Sequence, residues 1–256
     1  MAGPTLAQKD AANTPAAAFS AQEILDAVVA RLPQERLNIR GNLLVRKLRG
    51  VVAQELHFDM LLDWGASPAT ACYTIRDNFG GDLEQLTLSR AADGRLDTTY
   101  FTDGTTPAPT PPLTTRIQGT DVSWTDLTLD FLWWPGARIT GRGDIKGRSC
   151  HVLDVPAPQP ARAPATVYPA ADGTNAPPAD ADPGYAFVRI WVDRELFVMM
   201  QAEAYNAAGT RVRKLWVQSL KKQGGRWMIK DLEVQAYPPL QRTRLRVRDV
   251  ETLDPA

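Results

Sequence analysis

Two histidines, two cysteines, a few close carboxylates and one row of arginines are the side chains here whose types could carry chemistry. A histidine-based zinc centre needs three or four ligands brought together, and neither His57 nor His151 has a second ligand at a recognisable spacing. Both are expected to be structural or solvent-facing. Cys72 and Cys150 are too far apart for a C-x-x-C redox or zinc pair. They permit one bridge in an oxidising compartment, and fit better as small buried strand residues. The pairs Asp121 with Asp126 and Asp231 with Glu233 carry no specificity, because 29 acids supply such pairs in any fold. No nucleophile elbow, H-E-x-x-H helix, P-loop or dinucleotide glycine pattern occurs, and Gly141-Arg-Gly143-Asp-Ile-Lys-Gly147 reads as a turn. No catalytic residue, metal or cofactor is expected, and the chain reads as something other than an enzyme.

Arg242, Arg244, Arg246 and Arg248 alternate with Thr243, Leu245 and Val247, which places four guanidiniums on one face of a strand. They form either a solvent face balanced by Asp231 and Glu233 on the neighbouring strand, or a contact for an anionic partner. The whole chain balances 29 basic against 29 acidic residues over 256 positions. Nucleic acid is thereby a poor partner, since binding it rests on excess cations neutralising phosphates. No run of 18 apolar residues exists, so no helix is expected to cross a bilayer.

The elements that must position these groups are mostly strands. Ser20-Ala-Gln-Glu23 is a capping box, and Ile24, Leu25, Val28, Val29 and Leu32 form one helical stripe that ends at Pro33. The period then becomes two. Leu37 to Val45, Val51 to Trp64, Ala71 to Ile75, Leu86 to Leu88 and Thr98 to Phe101 read as strands, with the Arg49-Gly50 step as a hairpin turn. Ser149 to Val155, Tyr185 to Val192, Leu196 to Tyr205, Val212 to Leu220, Trp227 to Gln235 and Thr243 to Val250 continue the series. Short links between successive strands favour an antiparallel meander of about ten or eleven strands, wide enough that it must curl or close.

Proline marks the interruptions. Of 20 prolines, four lie in Pro107 to Pro112, an extended connector, and eight in Pro156 to Pro183, a surface excursion. Residues 1–19 are poor in large apolar side chains and are expected to be a flexible tether. A cytosolic protein and an exported one whose leader has been removed both fit that start. Residues 20–256 are expected to form one domain, with residues 156–184 inserted as an overgrown hairpin loop.

Thr120-Asp-Val-Ser-Trp124-Thr-Asp-Leu127 to Pro135 is different. Asp121 or Ser123 can cap a short helix to about Phe131, and Trp124, Leu127, Phe131, Leu132 and Trp134 make a broad apolar face beside Trp133. Two readings stay open: the segment is ordinary core on the concave side of the sheet, or it covers a cavity for an acyl chain or similar ligand.

The order of elements from Ala21 to Glu251 resembles the LolA-like and LolB-like lipoprotein carriers, especially the outer-membrane lipoprotein-sorting group. The resemblance is carried by Thr120-Asp-Val-Ser-Trp-Thr-Asp-Leu127, Gly147-Arg-Ser-Cys-His-Val-Leu-Asp154, Ile190-Trp-Val-Asp193, Gln201-Ala-Glu-Ala-Tyr-Asn-Ala-Ala-Gly209 and Trp227-Met-Ile-Lys-Asp-Leu-Glu-Val234. It implies a strongly curved antiparallel half-barrel whose concave face is covered by the N-terminal helix and the tryptophan-rich one. It also implies a periplasmic location, with possible outer-membrane association, and a cavity for lipoprotein acyl chains or another lipid. Cavity-covering residues would be Trp124, Leu127, Phe131, Leu132, Trp133 and Trp134. Alternation alone adds Phe58, Met60, Leu62, Met199 and Trp216 to the expected lining. The competing expectation is a structural or adaptor protein of the cell envelope, fully packed, that binds another protein through its outer surface.

Overall fold

The computed structural model describes residues 19–47, 50–158, 184–223 and 225–254. All of the N-terminal tether except Phe19, Arg49 of the first hairpin turn and most of the 156–184 insertion lie outside the described residues.

Ser20 opens the first helix, α1 (Ala21–Val29). Its Oγ accepts the Glu23 amide at 3.2 Å, and the Glu23 carboxylate accepts the Ser20 amide at 2.7 Å. This reciprocal pair satisfies two amides that the first turn leaves open. Ile24, Leu25 and Val28 are buried, so the predicted stripe is the one that packs.

The rest is one antiparallel sheet. Its first half comprises β1 (Leu37–Lys47), β2 (Val52–Asp63), β3 (Ala69–Arg76), β4 (Asp82–Arg90), β5 (Leu96–Thr102) and β6 (Thr106–Ala108). A connecting segment carries α2 (Trp124–Thr128) and a 3₁₀ turn at Asp130–Trp133. The second half comprises β7 (Arg138–Ile145), β8 (Arg148–Pro156), β9 (Phe187–Asp193), β10 (Met199–Tyr205), β11 (Arg211–Gln223), β12 (Arg226–Ala236) and β13 (Gln241–Thr252). The order across the sheet is β6-β5-β4-β3-β2-β1-β13-β12-β11-β10-β9-β8-β7. Two meanders are thus joined at the centre, where the first strand pairs with the last in a register that sets Leu43 opposite Leu245. Because the strands alternate in direction, the entry to β1 and the β2–β3, β7–β8, β9–β10 and β11–β12 turns all lie on one rim.

Thirteen strands among the described residues exceed the ten or eleven expected. One extra is β6, inside the proline connector. It lies at the sheet edge, where Pro107 does not have to donate to a ladder on both sides. The other is β7, where Gly141 and Gly143 conceal the alternation and suggest a turn. The turn itself is only Lys146-Gly147, where both residues have positive φ. Gly143 has a packing reason: a Cβ there would meet Trp191 of β9 at 3.1 Å. β8 and β9 pair directly, Pro156 opposite Phe187, so both arms of the long insertion belong to the same sheet.

The sheet is open and curved, and its concave face buries one cluster that includes Leu43, Phe58, Ile75, Leu86, Ile190, Leu215 and Val234 together with α1. At the centre Gly41 is crossed by the Phe58 ring, and a Cβ there would collide with that ring and with the Arg246 carbonyl. Backbone cannot yield as a flexible side chain can. Gly41→Ala is therefore expected to lower stability by about 1–3 kcal/mol, measured by urea unfolding, whereas Gly50→Ala meets no neighbouring atom and is strained only by its positive φ.

Candidate ligand-binding site

The tryptophan-rich segment begins as expected. Ser123 caps α2, its Oγ accepting the Asp126 amide at 3.2 Å while the Asp126 carboxylate accepts the Ser123 amide at 2.8 Å. It then departs from expectation. The helix stops at Thr128, Leu129 turns left-handed at φ 53°, and a 3₁₀ turn follows. The break presents Asp130 to two donors, Arg90 of β4 and the Trp134 indole at 2.7 Å.

Buried polar contacts fasten this segment to the concave face. Arg213, which points inward from β11 and is 3% exposed, donates to the Asp126 carboxylate at 2.9 Å and to the Asp121 carbonyl. Asp121 accepts from the Ala236 amide at 3.1 Å and the Thr243 hydroxyl at 3.0 Å, and its own amide donates back to Thr243 at 2.9 Å. Burial pushes the Asp121 carboxyl above the usual range, partly offset by these donors and by Arg116 and Arg213. Gln118 and Tyr100 both donate to Glu84, and the Trp124 ring meets the edge of Tyr100 at 6.2 Å.

Between this cover and the sheet lies a cavity of about 190 Å³. Its walls are apolar: Val28 and Leu32 of the helix side, Ile39, Met60, Leu62 and Tyr73 of the first meander, Leu127, Leu132 and Trp133 of the cover, and Met199, Leu232, Leu245 and Val247 of the second meander. The mouth is on the β1-entry rim, where Arg31, Trp64, Phe197 and Trp227 also border it. Trp227 is 44% exposed there. Trp133 is held between the Trp64 ring, at 5.4 Å, and the Arg90 guanidinium, at 4.5 Å. A stacked indole with a cation on its other face is a rigid wall.

The expected lining residues divide. Met60, Leu62, Leu127, Leu132, Trp133 and Met199 border the cavity. Phe58, Trp124, Phe131 and Trp134 are buried in the surrounding core without bordering it. The space beneath the cover is therefore part packed and part open, so the two readings of this segment each describe part of it. Trp216 does not belong with them. Leu215 and Val217 are the inward residues of β11, so Trp216 points to the outer face, beside Lys214 at 5.8 Å. Val28, Ile39, Trp64 and Val247 were legible as inward positions of periodic elements. Phe197 comes from the β9–β10 turn, where no period marks a facing direction, and Trp227 from the first residues of β12, beside the β11–β12 turn.

The arginine row lies on the outer face, against acids. Arg244 and Arg246 reach Asp231 at 3.3 and 3.0 Å, Arg242 approaches Glu233 at 3.9 Å, and Arg248 donates to Asn42 at 3.2 Å. Burial opposes ionisation of Asp231, yet Ser219, Arg246 and Arg244 outweigh it and hold its carboxyl below the usual range. Asp193 behaves alike: burial is overcome by Arg148 and the Leu196 and Glu195 amides. A depressed carboxyl stabilises the fold above its unfolded value of about 3.9 and loses that contribution as pH falls through the folded one. Asp121, raised, acts in the opposite direction and blunts the loss. The net expectation is a urea midpoint that drops between pH 5 and pH 3, by less in Asp231→Asn. An unchanged midpoint would contradict this assignment.

Among the described residues, no group of three or more His, Cys, Asp or Glu could hold a metal ion, Cys72 and Cys150 are both free, and no helix is long and apolar enough to cross a membrane.

Residues 108–255 match a protein-family model described as "Uncharacterized protein". No curated protein matches the sequence. Among solved structures, the chain is similar to a LolA superfamily protein from Nitrosomonas europaea, with 15% identity, coverage of 93% of this chain and 96% of that one, and a TM-score of 0.67. A DUF1329 family protein from Desulfovibrio piger gives 12% identity, 92% and 94% coverage and 0.67. An outer membrane lipoprotein-sorting protein domain from Vibrio parahaemolyticus gives 12%, 91% and 92%, and 0.66. At such identities the likeness shows a shared fold.

Proposed function

We propose that this chain, which belongs to that uncharacterized-protein family and has the fold of the LolA superfamily, is a non-enzymatic carrier or receptor for an acyl chain. The observation that supports this reading is the apolar cavity under the tryptophan-rich cover. An apolar cavity of about 150 Å³ accepts one benzene-sized ligand, so this volume gives room for a chain segment of roughly six to eight carbons. That suits one chain better than several. Each methylene taken out of water contributes about 0.8 kcal/mol before the costs of ordering ligand and protein.

The lipoprotein-sorting neighbour supports an acyl chain of a lipoprotein as the cargo, and the periplasm or outer-membrane surface as the place of work. An adaptor role through the outer face is less well supported, because Asp231 already occupies the two central arginines of the row and Glu233 approaches Arg242 at its end. The test uses delipidated, folded protein and a fluorescent fatty-acyl probe. Saturable binding of one probe per chain, displaced by unlabelled fatty acid, is expected. A folded sample that binds no probe overturns the proposal.

A further inference from the structure

A second pocket, of about 960 Å³, extends along β7 and β8 to the rim that the apolar cavity also reaches. It is lined by Phe19, by Ile139, Gly141 and Arg142 of β7, by Gly147 to Ser149 and His151, and by Asp193, Arg194 and Glu195 at the end of β9. The β9–β10 turn is a shared wall. Its start, Arg194 and Glu195, faces the second pocket, and its end, Phe197 and Val198, faces the apolar cavity. Phe19, in the second pocket, meets Phe197, in the apolar cavity, in an edge contact of 5.6 Å, so the two spaces adjoin at the rim.

The charges are unevenly matched. Arg148 is paired with Asp193, whose other oxygen accepts the Glu195 and Leu196 amides at 2.9 and 2.8 Å. Glu195 lies close enough to act on Arg148 as well. Arg142 and Arg194 have no carboxylate partner among the described residues, and both face His151. Three guanidiniums against two carboxylates leave the pocket one positive charge in excess with His151 neutral.

From this juxtaposition we propose that the ligand is an anionic amphiphile, its chain in the apolar cavity and its phosphate or carboxylate head between Arg142 and Arg194. The proposal rests on the acyl-binding reading and narrows it to a ligand class. His151 supplies an internal reporter. Burial, Arg194 and Arg142 together hold its pKa below the usual value, so an anion seated between the two guanidiniums will raise it.

The test titrates the full chain with a matched set: 1-lauroylglycerol, its 3-phosphate, and glycerol 3-phosphate without a chain. The phosphorylated lipid is expected to bind about tenfold more tightly than the monoacylglycerol, the gain of one charge-assisted contact. Glycerol 3-phosphate alone is expected to bind far more weakly than either acylated ligand. In R142A/R194A the preference should vanish while monoacylglycerol affinity is retained, and the NMR-titrated His151 pKa should rise only when wild type holds the phosphorylated lipid. Equal affinities for the two lipids, a preference that survives in R142A/R194A, or an unmoved His151 overturns the proposal and leaves the cavity reading standing. Glycerol 3-phosphate binding as tightly as its acylated form shows an independent anion site and also overturns it. If neither lipid binds, the cavity reading itself fails.

Discussion

Arg213→Met is expected to destabilise the protein by about 3–5 kcal/mol, the cost of leaving a buried charge without its partner. Arg213 and Asp126 are both nearly inaccessible, at 3% and 5% exposure, so water cannot replace the lost contact. The same guanidinium also holds the Asp121 carbonyl, so removal loosens the segment at two points, while the Asp121 carboxylate keeps its bonds to Ala236 and Thr243. Asp126 keeps its bonds to Ser123, which preserves the local cap and confines the damage to the docking of the segment. Arg213→Met combined with Asp126→Asn removes the orphaned charge and should recover part of the loss. Urea unfolding at neutral pH measures both. A single-variant loss below about 1 kcal/mol, the range of an exposed ion pair, would show that this pair does not fasten the cover.

Leu62→Trp is expected to act in the reverse sense, lowering affinity for an acyl probe by more than tenfold with little or no loss of stability. Leu62 borders the open part of the chamber beside Met60 and Met199, and an indole there extends into empty space. Overpacking normally costs about 1–3 kcal/mol when a site is already full. Phe58→Trp is the comparison: Phe58 is 1% exposed, lies across Gly41 and does not border the cavity. It should destabilise without a specific effect on binding. If both variants lose stability and neither changes binding, the chamber is not where the ligand resides.

Much of the architecture was legible because it rests on local pattern. The Ser20 capping box, the alternation from Leu56 to Trp64 and the glycine-bearing turns each report a backbone choice that neighbouring residues enforce. β7 was not legible, because Gly141 and Gly143 interrupt its alternation, and Gly143 serves the packing of Trp191 and not the pattern of its own strand. The break at Leu129 was hidden for a related reason. A left-handed leucine has no sequence signal, and its benefit lies with Asp130, which the break offers to both Arg90 and Trp134.

The candidate site was legible by half. Alternation picks out which side of a strand faces inward, and so found Met60, Leu62 and Met199, but β11 carries large apolar residues on both faces, Trp216 outward and Leu215 and Val217 inward, and there apolar type alone misplaced Trp216. Helical spacing found the cover without distinguishing Leu132, which borders open space, from Phe131, which is packed in the surrounding core. That distinction is a matter of volume between elements far apart in the chain. The pairing of Arg213 with Asp126 is equally non-local: one residue sits in a strand of unremarkable pattern, the other in a cap.

Native mass spectrometry of the delipidated protein, titrated with a long-chain fatty acid beside Leu62→Trp, tests the central claim most directly. The account predicts one bound chain per wild-type molecule and a strongly reduced bound fraction for the variant. Wild-type protein that remains folded and ligand-free at saturating fatty acid, or a variant that binds as well as wild type, would contradict it.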